Sequence, residues 1–149
     1  MKYKHILVAV DGSETSNLAL KEAIELTRDQ KAKLRVIYVV DEAVVKYTEG
    51  YIDFETLWSS YQEEGQDLLS KIESDLKDEN IQFETRLVIL KFLEGRLAEK
   101  IVTEAENWHA DLLVIGTHGR HGISRFFLGS VAEKVLRIAS MPVLLIRAK

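Results

Sequence analysis

The chain of 149 residues lacks cysteine, has a single proline and contains no long hydrophobic run. Without cysteine it cannot form a disulfide, a thiolate metal site or a cysteine nucleophile, and this composition fits a reducing compartment. The apolar run over residues 6–10 is too short for the core of a secretory signal. No segment approaches the roughly 18 to 20 apolar residues of a membrane span. We therefore expect a soluble protein of the cytoplasm with no membrane span.

The composition that remains is typical of one globular domain, which we expect to comprise residues 1–149, with 46% hydrophobic and 30% charged residues. The net charge of −4 is unevenly placed. From Gly116 onward the chain carries six basic residues against one acid, so this part has a balance of +5 and the rest −9. A locally cationic segment in a mildly acidic protein favours a small anion over nucleic acid, which requires a broad basic face.

Five apolar runs predict strands, and helical spacing of apolar residues between them predicts helices. The strands are expected at residues 5–10, 33–40, 82–90, 111–116 and 142–147, and the longest helix at residues 56–77. Ser130 with Glu133 three positions later indicates a capping box at the last helix. The alternation predicts an open α/β sheet of parallel strands with helices on both faces. In such sheets ligands bind at the carboxyl ends of the strands.

The segment "GTHGRHGISRFFLGS", residues 116–130, follows one of these strands. Its four glycines permit sharp turns and a close approach of a ligand to backbone N–H groups. The helix that begins at Ser130 offers unpaired N–H groups and a dipole that favour negative charge, so a phosphate is the simplest ligand. The Walker pattern and the dinucleotide fingerprint are both absent.

The glycine spacing resembles the nucleotide-binding signature of the universal stress protein family: Gly116, two residues, Gly119, nine residues, then Gly129 and Ser130. The resemblance extends over nearly the whole chain. "ILVAVDGSETSNLAL" is similar to the family's first strand and turn, "VIYVVDE" to its second strand and "EGRLAEKI" to the start of its third helix. "DLLVIGTHGRHGISRFFLGSVAEKVLRIASMPVLLIR" is similar to its C-terminal half.

This resemblance implies a sheet of five parallel strands in the order 3-2-1-4-5, a dimer, and a bound adenine nucleotide. The nucleotide would be ATP, or ADP or AMP, with Mg²⁺ or Mn²⁺ held through the phosphates rather than by side chains. The resemblance assigns the Asp11 carboxylate to the ribose, the Val39 backbone to the adenine edge, and Ala9 and Val10 to the base. The residues that it places along the ribose and phosphates are Gly116, Thr117, His118, Gly119, Gly129, Ser130, Val131 and Ala132.

The chain departs from the family pattern in two places. Many relatives have Gly-x-Pro where this chain has Gly95-Arg96-Leu97, preceded by the bulky residues 91–93, so the local turn is expected to differ without touching the ligand contacts. Residues 42–58 follow no family pattern and hold four aromatic residues, which would cap the base or contact a partner: Tyr47, Tyr51, Phe54 and Trp58.

Simpler interpretations exist for several of these residues. The segment Asp11-Gly12-Ser13 is also what a plain helix cap requires. His118 and His121 lack a nearby third metal ligand, so we expect backbone donors with solvent-facing side chains. Arg120 and Arg125 stay open as surface charges or phosphate contacts, whereas Phe126 and Phe127 are expected to pack and fix the loop rather than to form a stacking platform.

Three functions can be weighed against these patterns. The first is a nucleotide-binding regulatory or stress-response protein with at most slow ATP hydrolysis, because residues 116–130 contain no acid that could hold a metal at the γ-phosphate. The second is a protein-interaction module of the same fold without nucleotide. The third, a phosphotransfer receiver, lacks the paired acids and the phospho-acceptor Asp that it would require. The apolar run Val143–Ile146 would form an exposed sheet edge that favours a homodimer.

Overall fold

The computed structural model describes residues 2–43, 53–118 and 128–148, which form five strands and four helices. In chain order they are β1 His5–Ala9, α1 Glu14–Gln30, β2 Lys33–Asp41, α2 Phe54–Leu76, β3 Gln82–Leu90, α3 Leu97–Asn107, β4 Leu112–Gly116, α4 Ser130–Ile138 and β5 Val143–Ile146. All strand pairs are parallel, in the order β3-β2-β1-β4-β5. The predicted fold class and strand order are confirmed. In the ranges described, no helix has the length and apolar character needed to cross a bilayer.

The central strand β1 is buried on both faces, as its continuous apolar run requires. Ile6 and Val8 join the hydrophobic core under α1 and α2. Leu7 points to the opposite side, into the core under α3 and α4. All three side chains are fully buried, so β1 is fixed between two helical layers and its carboxyl end has a defined position.

That carboxyl end is the switch point of the sheet. From β1 the chain moves through β2 to β3 on one side, whereas β4 and β5 lie on the other. The connections therefore diverge above the ends of β1 and β4, where a crevice forms. Strand β2 continues past β1: the last β1 partner is Ala9 opposite Ile37, but β2 extends to Asp41.

The first turn of α4 differs from the prediction. Ser130 is the first residue of the helix, not its cap, and the capping position is taken by Gly129, without a side-chain hydrogen bond. The Glu133 carboxylate instead accepts from Arg137 one turn later, at 2.7 Å. The capping box is therefore wrong. The pattern was shifted by one residue because Gly129 is itself an acceptable N-cap.

Candidate nucleotide site

A cavity of about 360 Å³ lies at the carboxyl edge of the sheet. Eleven of the twelve residues named from the family resemblance line it, and the twelfth, Gly119, lies outside the described residues. The structure therefore brings together residues from β1, β2, β4 and α4 that are far apart in sequence. Eight further residues that the family resemblance did not name also line it: Ser16, Tyr38, Val40, Asp41, Tyr61, Leu97, Ile101 and Ile115.

In the turn after β1, the residue that caps helix α1 differs from the residue that lines the cavity. Ser13 is the N-cap of α1, and its hydroxyl accepts from the Ser16 N–H at 3.2 Å. Asp11 shapes the turn itself: its Oδ1 accepts from the Ser13 N–H at 2.9 Å, and its own N–H donates to the Ser16 hydroxyl at 3.2 Å. Gly12 between them has a φ of +84°, a conformation that favours glycine. The capping interpretation thus accounts for Ser13, while Asp11 also lines the cavity.

Residues 116–118 are held from three sides. The Thr117 N–H donates to the Ile146 carbonyl of β5 at 2.9 Å, and the Thr117 carbonyl accepts from the Gly129 N–H at 2.8 Å. The Thr15 hydroxyl of α1 donates to the His118 carbonyl at 2.5 Å. Contacts to α1, β5 and α4 therefore fix this part of the cavity wall.

Two glycines of the signature serve close packing. A Cβ on Gly116 would lie 3.0 Å from the Thr15 Cβ and 3.1 Å from its carbonyl carbon. A Cβ on Gly129 would lie 2.8 Å from the Thr117 carbonyl oxygen. Among the described glycines, Gly12 and Gly95 have a positive φ, whereas Gly116 and Gly129 do not. The left-handed backbone that glycine permits is therefore not used at Gly116 and Gly129, whose missing side chains let α1 and residue 117 approach.

The His118 side chain also differs from the prediction of a solvent-facing group. Its Nε2 is shielded from solvent and has no hydrogen-bond partner in the described part of the chain. Its Nδ1 lies 3.2 Å from the Thr117 hydroxyl. The ring is therefore held in the wall of the cavity rather than turned to solvent.

Helix α4 directs its first turn at the cavity. The Glu133 N–H makes the first intrahelical bond, to the Gly129 carbonyl at 2.9 Å. The preceding N–H groups have no intrahelical acceptor, and their residues line the cavity: Ser130, Val131 and Ala132. With the positive end of the helix dipole, these donors form an anion-binding arrangement.

The end of the cavity at β2 is mostly apolar. Tyr38 and Tyr61 lie on its wall, and Gly65 on α2 lets that helix approach: a Cβ there would be 2.7 Å from the Tyr38 ring. Leu97 and Ile101 of α3 also contribute. Leu97 stands where many relatives have proline, so this departure reaches the cavity wall; the expectation that it leaves the ligand contacts untouched stays a prediction. The Tyr61 position followed only the helical apolar pattern, which does not distinguish a cavity wall from core.

The backbone of β2 adds two polar groups to this end. The Val10 N–H donates to the Ile37 carbonyl at 2.9 Å, so the polar groups of Ile37 point toward β1. In a strand, residue i+2 presents its N–H and C=O on the same side. Val39 therefore directs one donor and one acceptor toward the side where β1 has ended, and Val39 lines the cavity.

Several residues of interest lie outside the described ranges: Tyr47, Tyr51, Arg120, His121, Arg125, Phe126 and Phe127. Phe54 and Trp58 are described and stack on each other at the start of α2, with ring centroids 6.2 Å apart. Within residues 2–43, 53–118 and 128–148, no three His, Asp or Glu side chains form a cluster that could hold a metal ion.

Comparison with known proteins places this chain in a family. A sequence profile of the universal stress protein family matches residues 2–147. The chain is 37% identical over 145 residues to universal stress protein MJ0531 of Methanocaldococcus jannaschii. The aligned region covers 97% of this chain and 82% of that protein.

Solved structures agree with this result. The fold is similar to that of a universal stress protein family member from Burkholderia pseudomallei, with a TM-score of 0.78, 35% identity, and coverage of 98% of this chain and 97% of that one. It is also similar to the universal stress protein from Archaeoglobus fulgidus in complex with dAMP, with a TM-score of 0.66, 26% identity, and coverage of 99% and 100%. Because profile, sequence relatives and fold agree over nearly its whole length, the chain belongs to the universal stress protein family.

Proposed function

We propose that this protein binds an adenine nucleotide, ATP or its products ADP and AMP, and acts in regulation or stress response through the bound state. The observation that carries the proposal is the polarity of the cavity, which has backbone donors of α4 at one end and apolar side chains around the Val39 backbone at the other. The relative from Archaeoglobus fulgidus in complex with dAMP supports the same ligand class.

The residues present fit such a ligand. A volume of about 360 Å³ falls in the range of small-molecule sites. The donor and acceptor of Val39 match the N1 acceptor and the exocyclic amine donor of adenine. Asp11 follows β1, the strand between β2 and β4, and so lies on the wall between the β2 end and the α4 end of the cavity. Its carboxylate would accept from the ribose hydroxyls, and the first turn of α4 would face the phosphates. Mg²⁺ or Mn²⁺ would then be held through phosphate oxygens.

Hydrolysis is at most slow in this proposal. Fast hydrolysis requires a group that positions water and usually a carboxylate for the metal close to the γ-phosphate. Among the described lining residues the acids are Asp11 and Asp41, at the ends of β1 and β2 rather than at α4. One Asp41 oxygen accepts from the Ala43 N–H at 2.9 Å. Residues 116–130 contain no acid.

The first test compares thermal unfolding of nucleotide-free protein with and without millimolar Mg·ATP. At about 100 times its dissociation constant, ATP should stabilise the fold by about 2.7 kcal/mol, a shift on the order of 5 to 10 °C for this size. A folded, nucleotide-free protein that shows no shift would exclude the nucleotide function and favour an interaction module of the same fold.

Two substitutions at one position test the α4 donors. Ser130→Ala removes the hydroxyl and keeps the N–H. Ser130→Pro also removes the N–H, and proline is well accepted as the first residue of a helix. Gly129 before it already has extended angles, φ −66° and ψ 155°, which suit a residue preceding proline. We expect both variants to fold and Ser130→Pro to lose more of the ATP-dependent shift; equal shifts in both variants and the wild type would contradict the assignment.

A further inference from the structure

We propose that the turn between β3 and α3, residues 91–96, is a docking site for another protein, whose apolar pocket, bordered by acidic side chains, takes up the Leu93 side chain. The inference rests on the proposed nucleotide function, because it also assigns to this turn the transmission of the bound state to that protein. Two observations at one residue carry it: Leu93 is 89% exposed, and its φ is +71°.

Leu93 is by far the most exposed large apolar side chain of the described residues. The other exposed ones lie between 40% and 44%: Phe54, Leu128 and Leu136. Single exposed apolar side chains are common in proteins, so exposure alone does not indicate a function. The backbone of this leucine is the second observation.

The turn has a conformation that leucine disfavours. The Glu94 N–H donates to the Lys91 carbonyl at 3.0 Å, so residues 91–94 form a hydrogen-bonded turn with Leu93 in its third position. A positive φ at that position is typical of glycine or asparagine, whereas a bulky residue there is an outlier. Such strain persists where the surrounding structure enforces it, and it clusters at binding sites.

The surrounding structure holds this turn in place. The Glu94 carboxylate accepts from the Lys91 N–H at 2.8 Å and from the Lys100 ammonium at 3.4 Å. The hydrogen bond from the Lys91 backbone lowers the pKa of Glu94 and, with Lys100, outweighs the desolvation that raises it. Leu93 is therefore presented on a preorganised turn, which reduces the entropy lost when another protein binds it.

The charges around Leu93 select the kind of pocket that fits it. Residues 91–100 carry three cations and two carboxylates, a positive balance in a protein whose net charge is −4. Glu94 is engaged within the turn, while Lys91 and Arg96 are exposed. An apolar pocket with an acidic border complements this surface. A second copy of the chain does not, because a two-fold contact through the turn would bring its cations close to their own counterparts.

Helix α3 connects the turn to the nucleotide cavity. Leu97, the first residue of α3, and Ile101 one turn later line the cavity. Lys100, between them on the same helix, forms an ion pair with Glu94 of the turn. A nucleotide that packs against Leu97 and Ile101 restricts the orientation of α3 and of the attached turn. The loaded protein therefore binds the other protein more tightly than the empty one does, and the effect is reciprocal.

The test begins with photo-crosslinking in the native cells. A benzophenone amino acid replaces Leu93, and the same group at Leu136 on α4 is the control. We expect an adduct with another protein from position 93 and not from position 136, with Asp or Glu beside apolar residues at the attachment point. Adducts with copies of this chain alone, or none, would overturn the proposal.

Calorimetry with the purified, cross-linked protein then measures the contribution of Leu93. Leu93→Asn removes the apolar side chain and suits a positive φ, whereas Leu93→Met keeps an apolar side chain of similar size. Burial of a leucine side chain corresponds to about 10- to 100-fold in affinity. We expect Leu93→Asn to lose that factor without a lower unfolding midpoint, and Leu93→Met to retain most of the affinity. Equal affinities of Leu93→Asn and the wild type would contradict the docking site.

The two proposals fail separately. We expect Mg·ATP to raise the affinity of the wild type for the other protein by at least about 5-fold, the lower end of usual coupling. If the wild type binds Mg·ATP and this affinity does not change, the nucleotide function stands and the transmission through α3 is wrong. If the folded protein binds no nucleotide, the nucleotide function fails and the transmission with it, while the comparison of Leu93→Asn with Leu93→Met still decides the docking site.

Discussion

At Gly129 the absence of a side chain allows the start of α4 to contact residue 117, and both belong to the candidate site. Its N–H donates to the Thr117 carbonyl at 2.8 Å, and a Cβ would meet the same oxygen at 2.8 Å. Its φ of −66° is one that any residue adopts. The constraint at this position is therefore contact between α4 and residue 117, not backbone conformation.

We predict that Gly129→Ala destabilises the protein by about 1 to 3 kcal/mol, the usual cost of overpacking. The methyl group can be accommodated only by moving α4 away from Thr117, so nucleotide binding should weaken as well. Urea unfolding measures the first effect. Ser130→Ala, one residue later, is the control, because it adds no atoms and should change stability much less. An unchanged unfolding midpoint in Gly129→Ala would show that the contact is relieved without cost.

The sequence indicates which glycines belong to the signature, but it does not show the physical reason why glycine is required at each of them. The spacing resembles a family signature, which directs attention to Gly116 and Gly129. Whether a glycine permits a positive φ or a close approach depends on what lies opposite it. For Gly116 that neighbour is Thr15, about a hundred residues away in the chain, so no local pattern reveals it.

At the scale of elements, an ion pair and a stacked ring join β2, β3 and the end of α3. Arg35 on β2 donates from Nε and Nη2 to the Glu84 carboxylate on β3, at 3.1 and 3.0 Å. The same guanidinium lies 4.7 Å from the centroid of the Trp108 ring, which His5 meets edge to face. Burial raises the pKa of Glu84, but the hydrogen bonds and charges of Arg35 and Lys33 outweigh it, and the net pKa is lowered.

The lowered pKa gives a stability contribution with a defined pH dependence. It is fully present above the ordinary pKa of this carboxyl, 4.5, and is lost as the pH falls through the lower folded value. We predict that Glu84→Gln costs about 1 kcal/mol or less at pH 7, since the pair is partly exposed. The difference from wild type in urea midpoint should shrink as the pH falls below 4.5. Glu22→Gln, at an exposed acid of α1, is the control; a difference that stays constant with pH would contradict the prediction.

Helix and strand positions followed from sequence more reliably than helix ends. The long apolar pattern predicted α2 at residues 56–77, and the structure has Phe54–Leu76. The start of α4 was displaced by one residue, because Gly129 and Ser130 are both plausible caps. The cavity contribution of Leu97 was also missed, since local turn chemistry does not show which side chain a helix start presents to a site formed by other strands.

At the scale of the whole molecule, alternation of strands and helices was enough to predict parallel pairing. It was not enough for the strand order, which was supplied by the family resemblance. The physical reason is that order depends on long-range packing, in this case on β1 pairing with β2 on one side and β4 on the other. The same order leaves β5 at an edge, next to β4 alone among the described strands.

On the side away from β4, where no other described strand pairs with it, β5 has a defined set of outward-facing groups. The Pro142 carbonyl accepts from Leu113 of β4, and the Ile146 carbonyl accepts from Thr117, directly after β4. By strand alternation, Val143 and Leu145 therefore direct their N–H and C=O groups away from β4. The strand is apolar and half-buried, and an uncharged edge of this kind favours pairing with a second chain. We propose that two copies of this protein pair along β5.

We predict a dimer at micromolar concentration in sedimentation velocity. Leu145→Pro removes an outward N–H without breaking the ladder to β4, as proline does on edge strands, so this variant should shift to monomer. Leu145→Ala is its matched control: it loses the same packing against the core under α3 and α4 and keeps the N–H, so it should remain largely dimeric. If both variants dissociate equally, side-chain packing rather than strand pairing holds the dimer. If the wild type is itself a monomer at this concentration, the β5 edge is not an interface between copies of the chain.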